Sequence, residues 1–454
     1  MTVYLFSRFQ VEIVSCQLKQ KYNIFNSFYL LNQQASKPKP SMNSFNKQRY
    51  LHYLQHRKFQ YYKCSMMQEK RQQSKRQRCA AIYLKYLSCD EQKQIEKFEG
   101  SECLFIDWWS DGRQLFESNR EFCFKQLSIN VEKLVGVIDF QNLSKFLSCF
   151  PNLEDFEVKI PYQFQIGEQE AVYFGEGLKN LANLQNLSLC INVNQRGAEL
   201  LGDTLVQLKK LQGIKIKLAK FQNVGDLGIQ RICQGIQTSK EQLKMLSLQI
   251  GYFNQIGQLG VQSIAKCIRQ LDMLEFLNLN IKKNNDLDAA GFSDVYESIQ
   301  SRKLLKCLAL TLTVPDSVQI NQLQNKMECK DSLQKYFVNL DLHDLNMIFF
   351  CKSLIQFSNL QEITINLNYS QQLEAIIQIA ESLEYIRNIK TLIIRSQRIQ
   401  YIDIPIKVLQ PYIKTLSQIV FLHLDFQLSY YNQPLRQQYQ SFYKTKRLVE
   451  INIT

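Results

Sequence analysis

The chain has 454 residues, of which 45% are hydrophobic and 21% charged, with only 16 Gly and 8 Pro. That length and apolar content suffice for a buried core without disulfides or metals, and they exclude collagen-like and Gly/Pro-rich disordered classes. The net charge of +14 is unevenly placed: residues 1–88 hold 16 Lys/Arg against two acids, Glu12 and Glu69, leaving 39 bases and 39 acids for residues 89–454. An anionic partner is therefore suggested by the N-terminal fifth alone.

Residues 1–31 are aromatic and aliphatic, with Arg8, Lys19 and Lys21 against Glu12. They lack the uninterrupted apolar stretch and small-residue cleavage site of a secretory signal, and read as a tail or as an amphipathic targeting segment. No run of 18 apolar residues occurs, so no membrane span is expected. From Lys37 to Arg78 there are 12 Lys/Arg and one acid, interleaved with Tyr50, Tyr53, Phe59, Tyr61 and Tyr62. The run ends in KRQQSKRQR, with Lys70, Arg71, Lys75, Arg76 and Arg78, and resembles a nuclear-localisation signal. Cations with interleaved rings suit phosphate neutralisation and base stacking. A solvated tail, nuclear import or nucleic-acid contact, and contact with an anionic membrane all fit this composition. Residues 1–88 thus read as a basic, partly disordered segment, and 89–120 as an N-terminal cap region. Trp108 and Trp109, the only Trp, are expected to cover the open end of the core there.

From residue 121 onward one pattern recurs: an apolar residue followed by two more at +2 and +4. It begins at Leu127, Phe156, Leu187, Ile214, Leu246, Leu277, Leu308, Val338, Ile363, Leu392, Leu422 and Ile451, with intervals of 25–32 residues. Most units add an apolar residue three places earlier, as in Leu184, Leu243, Leu274, Leu305 and Leu360. Between these cores the period changes to 3–4, as in Leu200/Leu201/Leu205/Leu208 and Ile264/Cys267/Ile268/Leu271. Each unit therefore predicts one strand and one amphipathic helix, and neither can be buried without stacking on its neighbours. The fold class expected is α/β: about 12 repeats forming a curved parallel sheet with outer helices, over residues 121–454. The unit at Val338 is poorly framed, because Lys335 stands where a core leucine belongs. A kink or altered repeat is expected there.

Residues 121–454 resemble a leucine-rich-repeat protein, and the strand-helix unit of about 29 residues is similar to the ribonuclease-inhibitor subclass. LANLQNLSLCINVN, residues 181–194, is the best copy, with Asn192 where the resemblance implies an amide that turns the chain after each strand. Asn368 matches in its unit, whereas Glu132, Pro161, Gly251 and Lys282 depart, so no continuous Asn ladder is expected.

The residues between the core positions are expected to face the inner surface, as candidate contacts for a protein partner. They include Asn130, Lys159, Lys215, Lys217, Gln249 and Asn278, and then Asn280, Thr311, Asn366, Arg395, His423 and Asp425. The surface reads as polar, with few charges and without large aromatic anchors. No nucleotide-binding or kinase motif occurs, His52 and His56 lack companion ligands, and His423 with Asp425 has no nucleophile beside it, so neither catalysis nor a cofactor is expected. The 13 Cys include no CxxC pair, which excludes a zinc ribbon and suits reduced thiols in an intracellular compartment, cytoplasm or nucleus. The reading is a non-enzymatic interaction scaffold or adaptor that uses the inner strand face. Alternatives are a nucleic-acid-associated protein binding through residues 37–88 and, by the resemblance, a small-GTPase regulator or ubiquitin-ligase substrate adaptor.

Overall fold

The computed structural model describes residues 81–85, 103–109, 122–133, 136–282, 289–313, 331–341, 354, 356–367, 372–386, 388–399, 408–409, 411–413, 415–416, 418–428 and 449–453. The basic cluster Lys70, Arg71, Lys75, Arg76 and Arg78 lies outside the described residues, as do His52, His56 and Asn368.

Among the described residues fourteen strands form one sheet in chain order: β1 (Ala81–Lys85), β2 (Cys103–Trp109), β3 (Gln126–Lys133), β4 (Asp155–Lys159), β5 (Asn186–Ile191), β6 (Gly213–Leu218) and β7 (Met245–Ile250). There follow β8 (Phe276–Ile281), β9 (Cys307–Thr313), β10 (Lys335–Asp341), β11 (Glu362–Leu367), β12 (Thr391–Ile399), β13 (Phe421–Leu428) and β14 (Val449–Ile453). Every neighbouring pair is parallel. Between strands run α1 (Val137–Ser148), α2 (Glu168–Lys179), α3 (Gln195–Leu205), α4 (Gly225–Gln237), α5 (Gln258–Arg269), α6 (Ala289–Gln300) and α7 (Gln372–Leu383). An open sheet of parallel strands alternating with helices, in sequence order, is the leucine-rich-repeat solenoid.

Two columns of buried apolar residues per strand hold the sheet to the helices. Leu127, Phe156, Leu187, Ile214, Leu246 and Leu277 are in register, as are Ile129, Val158, Leu189, Ile216, Leu248 and Leu279, and all are essentially inaccessible. Burying each such side chain is worth about 1.5–3 kcal/mol, which no single unit could secure alone. The apolar residue three places ahead is more regular than the leucines suggest. Phe124, Leu153, Leu184, Leu211, Leu243, Leu274, Leu305, Leu333, Leu360, Ile389 and Ile419 all fill this position and all are buried.

A backbone ladder fixes the entry to each strand. The carbonyl of Gln185 accepts from the N–H groups of Gln212 and Gly213, Gln212 from Lys244 and Met245, and Lys244 from Glu275 and Phe276. The same pattern continues through Glu275, Lys306, Gln334, Gln361 and Lys390. Each turn is thereby pinned to the previous one, and its polar groups are satisfied without side chains.

Three sequence expectations change. In β10, Tyr336 pairs with Leu308 and Ile363, so the core is Tyr336/Val338/Leu340 and begins two residues before Val338. Leu333 is then the buried residue three places ahead, Lys335 lies on the surface bonded to Glu362, and the intervals become 28 and 27, so the unit is regular. In β14, Val449 pairs with Leu422, again two residues earlier than Ile451. At the N-terminal side the sheet extends two strands beyond the twelve expected: β1 falls within the segment 1–88, and β2, which ends in Trp108 and Trp109, within 89–120. Their core positions Ile82 and Leu104 lie 22 and 23 residues before the next unit, shorter than the interval of the later repeats.

The Asn ladder is discontinuous, as expected, but its role is taken up elsewhere. Asn192 is buried and donates through Nδ2 to the carbonyl of Tyr162 in the preceding unit, 2.6 Å away. After β7, where Gly251 stands at the equivalent position, Asn254 is buried instead and donates to the carbonyls of Ala219 (2.8 Å) and Gly251 (3.0 Å).

Candidate interaction surface

The helices cover one face of the sheet, and the alternate residues of every strand form the other. Two columns run along that helix-free face. The first contains Ser128, Glu157, Ser188, Lys215, Ser247, Asn278, Ala309, Phe337, Thr364, Ile393 and His423 in continuous register. The second contains Asn130, Lys159, Cys190, Lys217, Gln249, Asn280, Thr311, Asn339, Asn366, Arg395 and Asp425.

All twelve candidate residues therefore fall in these columns. Asn130, Lys159 and Lys217 are exposed, whereas Lys215, Gln249, Asn278, Asn280, Thr311, Asn366, Arg395 and His423 are half-buried; the side chain of Asp425 lies outside the described residues. Many are tied to neighbours. Glu157 accepts from Ser128 (3.2 Å) and Ser188 (3.4 Å) and pairs with Lys159 at 3.2 Å. Asn278 donates to the buried Ser247 hydroxyl at 3.1 Å. At the strand entrances Asp155 accepts from Gln126 (2.7 Å) and Asn186 (2.5 Å). The strand-to-strand offset of about 4.8 Å brings short polar side chains within hydrogen-bond reach, so the face is preorganised.

The corrected frame of β10 also changes the chemistry of the face. Phe337, between Ala309 and Thr364, is a partly exposed aromatic residue on a face that the sequence reads as lacking large aromatics. In β13, the ring of His423 stacks on Phe421 with centroids 6.3 Å apart. Among the described residues no group of three His, Cys, Asp or Glu is arranged to hold a metal, and no described helix is long and apolar enough to cross a membrane.

A second surface feature lies in the loops that follow β6 and β7. The loops leaving β6 and β7 are near-copies, Ala219–Gly228 reading AKFQNVGDLG and Gly251–Gly260 reading GYFNQIGQLG. In each, two residues that are not glycine adopt positive φ: Phe221 (63°) and Asn223 (52°), then Phe253 (59°) and Gln255 (55°). The Phe221 N–H donates to the Tyr252 carbonyl at 2.9 Å, which ties the loops together. The two phenyl rings lie nearly parallel, 10° apart, with centroids at 4.7 Å. Yet they remain 57% and 42% exposed, beside Tyr252 at 42%. The left-handed conformation costs an L side chain on the order of 1–2 kcal/mol, and an aromatic pair returns about 0.5–1.5 kcal/mol. Stacking and the partial burial of the two rings together offset that cost while leaving much of each ring in solvent.

Lysines surround the rings. Lys220 Nζ stands 5.5 Å from the centroid of Phe221, and Lys282 Nζ 5.8 Å from that of Tyr252. Lys215 and Lys217 precede them on β6, and no carboxylate occurs in residues 213–225, 245–257 or 276–282. Asp226, the next acid, is committed to the backbone: its Oδ1 accepts from the N–H groups of Gly257 (2.7 Å) and Gly260 (3.0 Å) at the start of α5. Leu227 and Leu259, equivalent residues of the two copies, are 56% and 68% exposed.

No protein-family model matches the chain. No curated protein sequence matches it either. Among solved structures it is similar to the chain in the crystal structure of a TLR13–ssRNA13 complex, at 14% identity and a TM-score of 0.37, over 82% of this chain. The match spans 56% of that protein's own length.

Proposed function

We propose that this chain is a non-enzymatic protein-binding scaffold whose contact surface is the helix-free face of the sheet from β3 to β13. The observation that supports this is the unbroken register of two polar columns along parallel strands, with neighbouring side chains holding one another in place. Such a surface matches an extended partner with many modest hydrogen bonds, at low cost in side-chain ordering. The seven described helices, of 11–13 residues, support the ribonuclease-inhibitor-like subclass. Buried thiols at Cys149, Cys233 and Cys267, none in a disulfide, suit a reducing intracellular compartment.

Site-specific photo-crosslinking in the full chain tests the proposal. A crosslinker at Asn280 should capture a discrete protein partner, whereas one at Gln230, exposed on the opposite, helical side, should not. Equal capture from both positions, or none from Asn280, would overturn it.

A further inference from the structure

We infer that the paired loops after β6 and β7 form an anchoring site for an acidic segment of a protein partner that carries apolar side chains. This deepens the protein-binding reading and rests on it, but moves the anchor from the polar face to the rim. Three observations converge. First, both loops hold a phenylalanine in the left-handed region and leave its ring largely in solvent, a conformation that a purely structural turn would assign to Gly or Asn. Second, each copy also carries an exposed leucine at the equivalent position six residues on, Leu227 and Leu259, so the apolar feature is repeated across two units. Third, apart from Asp226, whose carboxylate is held by the Gly257 and Gly260 N–H groups, the formal charges in the two strands and their loops are cationic, at Lys215, Lys217 and Lys220, with Lys282 on the adjoining strand end.

The charge sign selects the occupant. The chain's own N-terminal segment, with 16 Lys/Arg and two acids in residues 1–88, has the same sign and does not complement the site. An acidic segment does, and its attraction to exposed lysines is expected to weaken with salt. The ring geometry favours a peptide over a single-stranded nucleic acid. Base stacking needs open ring faces, but Phe221 has the Phe253 ring against it and the Lys220 ammonium over it. The edge of the Phe221 ring is what remains, and with the exposed Leu227 and Leu259 it offers apolar surface on which aliphatic or aromatic side chains pack.

The test is selection from a displayed library of short random peptides on the full chain, followed by anisotropy with the best synthetic peptide. Selected sequences should be enriched in Asp/Glu together with Leu, Phe or Trp. The double variant Phe221→Asn/Phe253→Asn should weaken that peptide about tenfold or more, and Lys217→Glu/Lys220→Glu should do the same. Asn tolerates positive φ, so the first variant should unfold at no lower temperature than the parent; a loss of binding is then not a loss of fold. The inference is overturned if selection yields no sequences, or sequences without both features. Binding by the Asn variant within about twofold of the parent would also overturn it. So would displacement of the peptide by a random-sequence single-stranded RNA pool at equal or lower concentration, which would reassign the site to nucleic acid. In every such case, persistence of the Asn280 crosslink would leave the scaffold reading standing, and its loss would remove both.

Discussion

Asp226, in the first turn of α4, caps not its own helix but the next one: its Oδ1 sits 2.7 Å from the Gly257 N–H and 3.0 Å from the Gly260 N–H. The carboxylate thus satisfies two of the four donors that open α5 and faces the positive end of its dipole. A Cβ on Gly260 would come within 2.6 Å of that same oxygen, so a side chain there would displace the carboxylate from its cap. Asp226→Ala should destabilise the array by about 1–2 kcal/mol, with Asp226→Asn losing less because an acceptor oxygen remains. Urea unfolding gives the magnitude. Hydrogen exchange should show faster exchange confined to residues 257–264, since repeats couple to their nearest neighbours. Unchanged exchange there would mean that water caps the helix equally well.

The glycines of α3 and α4 set how closely those helices approach. A Cβ at Gly202 would lie 2.4 Å from the Arg231 carbonyl carbon and oxygen, and one at Gly235 would lie 2.4 Å from the Gly202 carbonyl oxygen. Glycine inside a helix ordinarily costs about 1 kcal/mol relative to alanine. Here the obstacle is backbone, which cannot rotate away. Gly202→Ala and Gly235→Ala should therefore destabilise by about 1–3 kcal/mol, against the gain that helix propensity alone predicts. Thermal unfolding decides the sign, and stabilisation of either variant would show that the two helices can move apart freely.

The repeat was legible because every unit obeys two periods at once, yet the period of 2 leaves an ambiguity that misplaced two units. Sliding a strand by two residues keeps every side chain on its face, so Val338/Leu340/Leu342 satisfies the alternation as well as Tyr336/Val338/Leu340 does. The apolar residue three places ahead breaks the tie, and Leu333 at that position was the available signal. The two N-terminal strands were hidden for another reason: their intervals of 22 and 23 residues fall below the 25–32 that mark the other units. The polar columns of the face follow from register and were legible. The rim was not, although AKFQNVGDLG and GYFNQIGQLG repeat in plain sight, because nothing in a phenylalanine announces a positive φ.

The reframed unit at β10 makes a direct prediction. Leu333 and Tyr336 are buried, whereas Lys335 bonds to Glu362 at 2.6 Å on a partly exposed surface. Leu333→Ala should cost about 2–5 kcal/mol and Tyr336→Ala a similar amount. Lys335→Ala should cost no more than about 1 kcal/mol, as for other surface pairs. A large loss from Lys335→Ala with tolerance of Leu333→Ala would restore the frame that starts at Val338.

Cysteine reactivity tests the packing of the helices without mutation. Cys123 is exposed, while Cys149, Cys233 and Cys267 are buried, the last two on neighbouring helices α4 and α5. Burial pushes the Cys149 thiol above its usual range. The Cys267 thiol is raised well above its own, first by its hydrogen bond with the Cys233 thiol and then by burial. Cys307, at the start of β9, is pushed up to about 11 by burial, against the lowering effect of Lys335. Only the thiolate reacts, so a raised value means that reactivity is deferred to higher pH. At pH 8 a thiol with a pKa of 11 is about one part in a thousand thiolate, where an ordinary one is about a quarter. Because it is exposed, Cys123 should be the first of these side chains that iodoacetamide modifies. The rate at Cys307 should rise about tenfold per pH unit from pH 8 to 10. Cys149, Cys233 and Cys267 should react only when urea opens the repeats. Peptide-resolved mass spectrometry reads each site separately, and labelling of Cys267 as fast as Cys123 in the native chain would contradict the close packing of α5 against α4.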